Sequence, residues 1–243
     1  MTSLSIWALI AVYSVIFVGA TVQGVAGFGL NLVAAPIVAA IEPSLVPSTM
    51  VLVSVPLLVS LISRNHGHID WPSVGWVSLA RVPGTLAAIA LLEVVNDTTL
   101  RILVGVIVIA AVAVSYFANA DIRATAPVSL IAGLFSGFMD TTAAVGGPPL
   151  ALAYQNKSGE QLRSTISVNF AVGTAVSFGA LVAAHKADTS DVVQALALWP
   201  AVVAGSAVAH RVHHKISSTH LKSMVLGLAG LAGILAIVSV LWR

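Results

Sequence analysis

Few polar side chains interrupt the apolar stretches of this chain: Gln23, Asn31, Arg81, Asp140, Thr141, Thr142, Ser167 and Asn169. An ionisable group at membrane depth is costly and marks a site or pathway by default. Asp140, inside the apolar run 126–152, is the only acidic residue so placed. Beside an anion it makes sense as a proton-coupling group, taking up a proton when the anion binds; a fixed ion pair is the alternative. Arg81, inside 76–92, has three readings: a site cation, a side chain snorkelling to the interface near Pro72, or a structural partner of Asp140.

Two glycine- and proline-broken stretches stand among these side chains. One reads Gln23-Gly24-Val25-Ala26-Gly27-Phe28-Gly29-Leu30-Asn31, then Pro36. The other runs from Gly133 to Gly137, through Asp140-Thr141-Thr142, to Gly146-Gly147-Pro148-Pro149. Unwound backbone at membrane depth is tolerated only where protein or a watery cavity satisfies it. Helix N-termini at such breaks would turn N–H groups and a positive dipole end toward an anion. Gly133 and Gly137 read instead as small residues that let helices approach. The candidate substrate-binding set is Gln23, Gly24, Gly27, Gly29, Asn31, Arg81, Thr141, Thr142, Gly146, Gly147, Arg163, Ser167 and Asn169, with Asp140 for proton coupling.

Other chemistries lack their residues. There is no H-E-x-x-H, no G-x-S-x-G, no Walker A lysine and no second intramembrane aspartate, so no enzyme and no cofactor is expected. His66 and His68 share one joint; His210, His213 and His214 share another. These read as a polar rim, with a metal pair as the alternative. The absence of cysteine excludes disulfides and thiolate metal sites. The +2 net charge forms no dense basic patch, so no nucleic-acid partner is expected.

Composition then sets the frame for these residues. Only 8% of the 243 residues are charged and 58% are hydrophobic, against about 25% charged in soluble domains. This is the composition of an all-α integral membrane protein in a lipid bilayer. The N-terminus lacks a basic n-region and reads as a retained first helix. Apolar runs lie at about 5–41, 46–63, 74–92 and 99–118, then at about 126–155, 163–184, 192–210 and 220–242. The chain therefore reads as one transport domain, 1–243, in two repeats, 1–122 and 126–243. In order, Gly24 falls on Gly137, Pro36 on Pro149, Ser48-Thr49 on Ser164-Thr165, Gly84 on Gly205 and Leu100-Arg101 on Leu221-Lys222.

The first run of each half is too long for one pass. As a single helix, 5–41 would measure roughly 55 Å, against a hydrocarbon core of about 30 Å. Either each half has a broken first segment plus three spanning helices, giving eight spans, or there are ten segments in a 5+5 inverted repeat. The inverted scheme gathers Arg64, Arg123, Lys157, Arg163, Arg211, Lys215 and Lys222 on one side. That is the sharper split, so the positive-inside rule favours it. Both schemes place both termini outside.

The string Gln23-Gly24-Val25-Ala26-Gly27-Phe28-Gly29 with Pro36 resembles the first signature of the TauE/SafE sulfite-exporter family, also called the sulfonate-uptake permeases. Gly146-Gly147-Pro148-Pro149-Leu150 resembles the second, and Arg81-Val82-Pro83-Gly84 and Arg163-Ser164-Thr165 are similar to further family elements. The resemblance implies secondary transport of small sulfur-containing or organic anions, such as sulfite, sulfoacetate or sulfonates, across a bacterial inner membrane. The expectation is an alternating-access permease with a midplane site between two broken helices and a proton as coupling ion. A homodimer is left open. A metal-cation permease, needing the histidines and Asp140 at the site, and a non-transporting membrane enzyme or scaffold are the rivals.

Overall fold

The computed structural model describes residues 5–65, 68–117, 122–212 and 218–241, which form helices and no strand. His66, Gly67, His213, His214, Lys215 and Arg243 lie outside the described residues, as do the side chains of Arg64 and Lys222.

Each overlong run breaks where its glycines stand. Helix α1, Ile6–Ala26, stops at Gly27, whose φ of +88° is left-handed and whose N–H closes onto the Gln23 carbonyl. Gly29, at φ +123°, turns the chain back into α2, Leu30–Ile41. After the midpoint, α7, Ala126–Ala143, ends on Ala144 in the left-handed region at φ 58°. A short α8, Gly147–Ala153, follows, with prolines in its first turn, where a missing N–H costs nothing.

The remaining helices are α3, Ser48–Val53, α4, Val55–Asn65, α5, Trp71–Val94, and α6, Asp97–Phe117. Past α8 come α9, Gly159–Ala183, α10, Thr189–Val212, and α11, Ser218–Leu241. The run 46–63, read as one segment, is two short helices joined at Ser54, immediately before Val55-Pro56. Side-chain caps start the long helices: Asp70 accepts from the Ser73 N–H, and Ser158 from the Gln161 N–H. Among the described residues, five helices are long and apolar enough to cross a membrane: α1, α5, α6, α9 and α10. Their outward faces are apolar; Trp7, Leu79 and Leu86 are more than half exposed.

The first helix of each half packs on the other half. Helix α1 runs parallel to α10: Tyr13 meets Ala197, Thr21 meets Gly205, and Gly24 meets Ala209. Helix α5 runs parallel to α7: Ser73 meets Ser129, Arg81 meets Ser136, and Thr85 meets Thr141. Both seams need glycine. A Cβ on Gly84 would lie 2.1 Å from the Leu134 carbonyl oxygen, and one on Gly205 2.4 Å from that of Phe17. Helices α6 and α11 pack antiparallel, Gly105 against Gly233.

Hydrogen bonds define the two ends of the molecule. At one, His68 pairs with Glu160 at 3.3 Å, Lys157 with Asp70, and the Asn156 amide donates to the Ile122 carbonyl. At the other, Ser48 donates to the Lys186 carbonyl and Thr49 to Asp191. The start of α1 and the end of α11 both lie at the Asp191 end, since α1 follows α10 and α11 opposes α6.

Candidate functional site

The two breaks meet. Gly147 sits against Phe28, where an added Cβ would come within 3.4 Å of that ring. Between them lies a cavity of about 30 Å³. The first break contributes Gln23, Phe28, Gly29, Asn31 and Leu32; the second contributes Asp140 and residues 144–148. Phe170 and Thr174 of α9 and Ser54 at the α3–α4 joint complete the wall. One water occupies about 10–15 Å³ on this measure, so the space suits a compact species of a few heavy atoms.

Asp140 is the charged group on the wall. It is 7% exposed, and its Oδ2 accepts from Arg81 Nη1 at 2.9 Å and from Ser177 Oγ at 3.3 Å. Arg81 lies behind it, fully buried, with Nη2 donating to Ser136 Oγ at 2.8 Å. That hydroxyl donates in turn to the Gly146 carbonyl at 2.8 Å, so the guanidinium is wired to the second break. Gly173 makes room for it: a Cβ there would stand 2.2 Å from Nη1. Arg81 is thus paired with Asp140, as one of its three sequence readings has it.

Gln23 bridges the first break, its Oε1 accepting the Leu30 N–H at 3.0 Å. Asn31 donates Nδ2 to the Met50 carbonyl at 3.1 Å, while its buried Oδ1 has no hydrogen-bond partner. These bonds bear on the N–H groups expected at the two half-helices. The first amide of α2 is taken by Gln23, and Pro148 and Pro149 of α8 carry no N–H.

The sequence-derived residues therefore divide. Gln23, Gly29, Asn31, Asp140, Gly146 and Gly147 line the cavity, and Gly27 shapes the adjoining turn. The others are placed elsewhere. Gly24 is a packing glycine; a Cβ there would meet the Ala209 side chain at 2.5 Å. Thr141 joins Thr85 and Ser177 in a buried hydroxyl chain. Thr142 bonds back to the Phe138 carbonyl and Ser167 to that of Arg163. Asn169 donates to Tyr154 and to the Thr165 carbonyl. Arg163 lays its stem on Gly27, outside the cavity wall. Among the described residues no group of three or more His, Cys, Asp or Glu is placed to hold a metal.

Sequence reasoning passed over Phe28, Ser54, Ser136, Phe170, Thr174 and Ser177. Helical spacing offered one signal: Ser136 stands four residues before Asp140 and shares its face. A family model described as Sulfite exporter TauE/SafE matches residues 12–236. No curated protein and no solved structure gives a significant match.

Proposed function

Because this chain belongs to the sulfite exporter TauE/SafE family, a family of multi-pass membrane transporters, we propose that it is a secondary-active permease for small sulfur-containing or organic anions. Sulfite is the compact end of that class, and sulfoacetate and short sulfonates the larger end. The observation that carries the reading is the meeting of two helix breaks at one small polar cavity. Breaks in corresponding segments, irregular backbone only where it lines a cavity, and an intramembrane ion pair beside it are the marks of a transport site.

Asp140 is the coupling group in this proposal. It is the one lining residue whose charge a proton can cancel, and coupling requires that the proton displace its pairing with Arg81, which otherwise keeps it ionised. The chain is read as repeats 1–122 and 126–243 in an inverted 5+5 arrangement. Three packings support this: α1 on α10 answers α7 on α5, and α6 lies against α11. The glycines aligned in sequence also fall on equivalent seams. Gly84 lies against α7 and Gly205 against α1; Gly137 lies against α5 and Gly24 against α10. Arg123, Lys157, Arg163 and Arg211 belong to the Asp70 end, which makes that end cytoplasmic in a bacterial inner membrane and leaves both termini outside.

The test is flux into proteoliposomes under an imposed proton gradient, offering sulfite, sulfoacetate and a short sulfonate. The reading expects flux of at least one anion above protein-free vesicles, lost in Gly147→Leu, whose side chain would fill the space against Phe28 and Phe170. Absence of flux for all three, with protein shown inserted, would refute it.

A further inference from the structure

Each end of the molecule carries a threonine–aspartate hydrogen bond between helices of opposite halves, through the carboxylate at one end and the backbone N–H at the other. At one end, Thr49 Oγ1 on α3 donates to Asp191 Oδ1 on α10 at 2.9 Å. At the other, the Asp70 N–H at the head of α5 donates to Thr165 Oγ1 on α9 at 3.1 Å. In both, a threonine in the early turns of one helix is tied to an aspartate at the start of another, from the opposite half of the chain. Thr49 and Thr165 are also the residues that fall on each other when the halves are aligned. Neither bond serves a helix of its own, and both threonines are fully buried.

Each latch is reinforced. Ser48 Oγ donates to the Lys186 carbonyl at 2.9 Å beside Thr49. Lys157, from the link between α8 and α9, pairs with the Asp70 carboxylate beside Thr165. The cavity lies between them on the same helices. Ser54 is five residues beyond Thr49, and Phe170 five beyond Thr165, roughly 7 Å along a helix in each case. With both latches made, the cavity between them holds only about 30 Å³.

We propose that the Thr49–Asp191 and Asp70–Thr165 pairs are the two gates of the transport path, resting on the permease reading above. Opening toward one side requires breaking one latch while the other holds. Alternating access then consists of two hydrogen-bonded joints, one at each end, that are never released together.

The chain has no cysteine, so one reporter cysteine on the cavity wall, Thr174→Cys, gives a clean readout. A membrane-impermeant maleimide is applied from one face in spheroplasts and from the other in inverted vesicles. Thr49→Val should raise labelling from the Asp191 end alone, and Thr165→Val from the Asp70 end alone. The expected change is roughly threefold to tenfold, as for the loss of one such hydrogen bond. Thr49→Ser and Thr165→Ser keep the hydroxyl and should label like the parent, which separates loss of the latch from loss of fold. Equal labelling from both faces in each valine variant, or no change in either with size-exclusion profiles intact, would overturn the gates. If labelling is sided but no anion moves, the latches still control access to the cavity and the transport reading falls. If anions move but labelling is unsided, the reverse holds.

Discussion

Arg81 and Asp140 sit on neighbouring helices at 2.9 Å, with the guanidinium wholly buried. Removing either partner leaves an uncompensated charge in an apolar interior, a loss of about 3–5 kcal/mol. Arg81→Ala or Asp140→Ala should therefore lower the melting temperature in detergent sharply. An apolar replacement of both, Arg81→Met with Asp140→Leu, should recover most of that loss. Asp140→Asn keeps an acceptor for Arg81 and Ser177 but cannot be ionised. In proteoliposomes it should exchange anion across the membrane yet fail to accumulate it against a gradient; persistent accumulation would make Asp140 structural. The sequence marked both residues as costly, but their partnership depends on the register of α5 against α7. Nothing local in either sequence stretch encodes that register, so three readings of Arg81 stayed open. The same holds for Gly24 and Gly27. They are alike in sequence, and only Ala209, arriving from far along the chain, makes one a packing residue while the other turns the backbone.

Where helices meet, the glycines of α5 offer an internal control. Gly84→Ala would drive a methyl into the Leu134 carbonyl, so it should destabilise the protein and lower the folded yield. Gly75→Ala, on the same helix, meets nothing within 4 Å and should be neutral or stabilising, by up to about 1 kcal/mol. Thermal melts of the two side by side check this. The head of α5 carries a pH-dependent term. Burial raises the Asp70 pKa, but the Lys157 ammonium and the Ser73 N–H outweigh it and hold the carboxyl below its usual range. A carboxylate lowered on folding stabilises above its unfolded value of about 3.9 and loses that contribution as pH falls through the folded value. Asp70→Asn should then be less stable than the parent near neutrality, with the gap closing in acid; a constant gap would show the ion pair to be inert. The breaks in the first runs were legible because no single helix of that length fits a bilayer. The α3–α4 joint was not, since Val55-Pro56 lies in an apolar run of ordinary spanning length.

For the whole molecule, the contact between His68 Nδ1 and Glu160 Oε1 puts the α4–α5 and α8–α9 links at one end. Single cysteines replacing His68 and Gly159 should react from the same side of the membrane, and one replacing Asp188 from the opposite side. Any other pattern would break the assignment of ends. The pairing of α1 with α10 has a further consequence, for synthesis. Helix α1 leaves the ribosome well before α10, yet the surface its small residues fit lies on α10, around Gly205 and Ala209. At 5–20 residues per second, α1 waits on the order of ten seconds or more in the bilayer with its seam unfilled. Gly24 is exposed to lipid during that interval. A nascent chain halted before α10 should therefore hold α1 beside the translocon or a membrane chaperone, detectable by photocross-linking at Gly24, and release it once residue 212 has emerged.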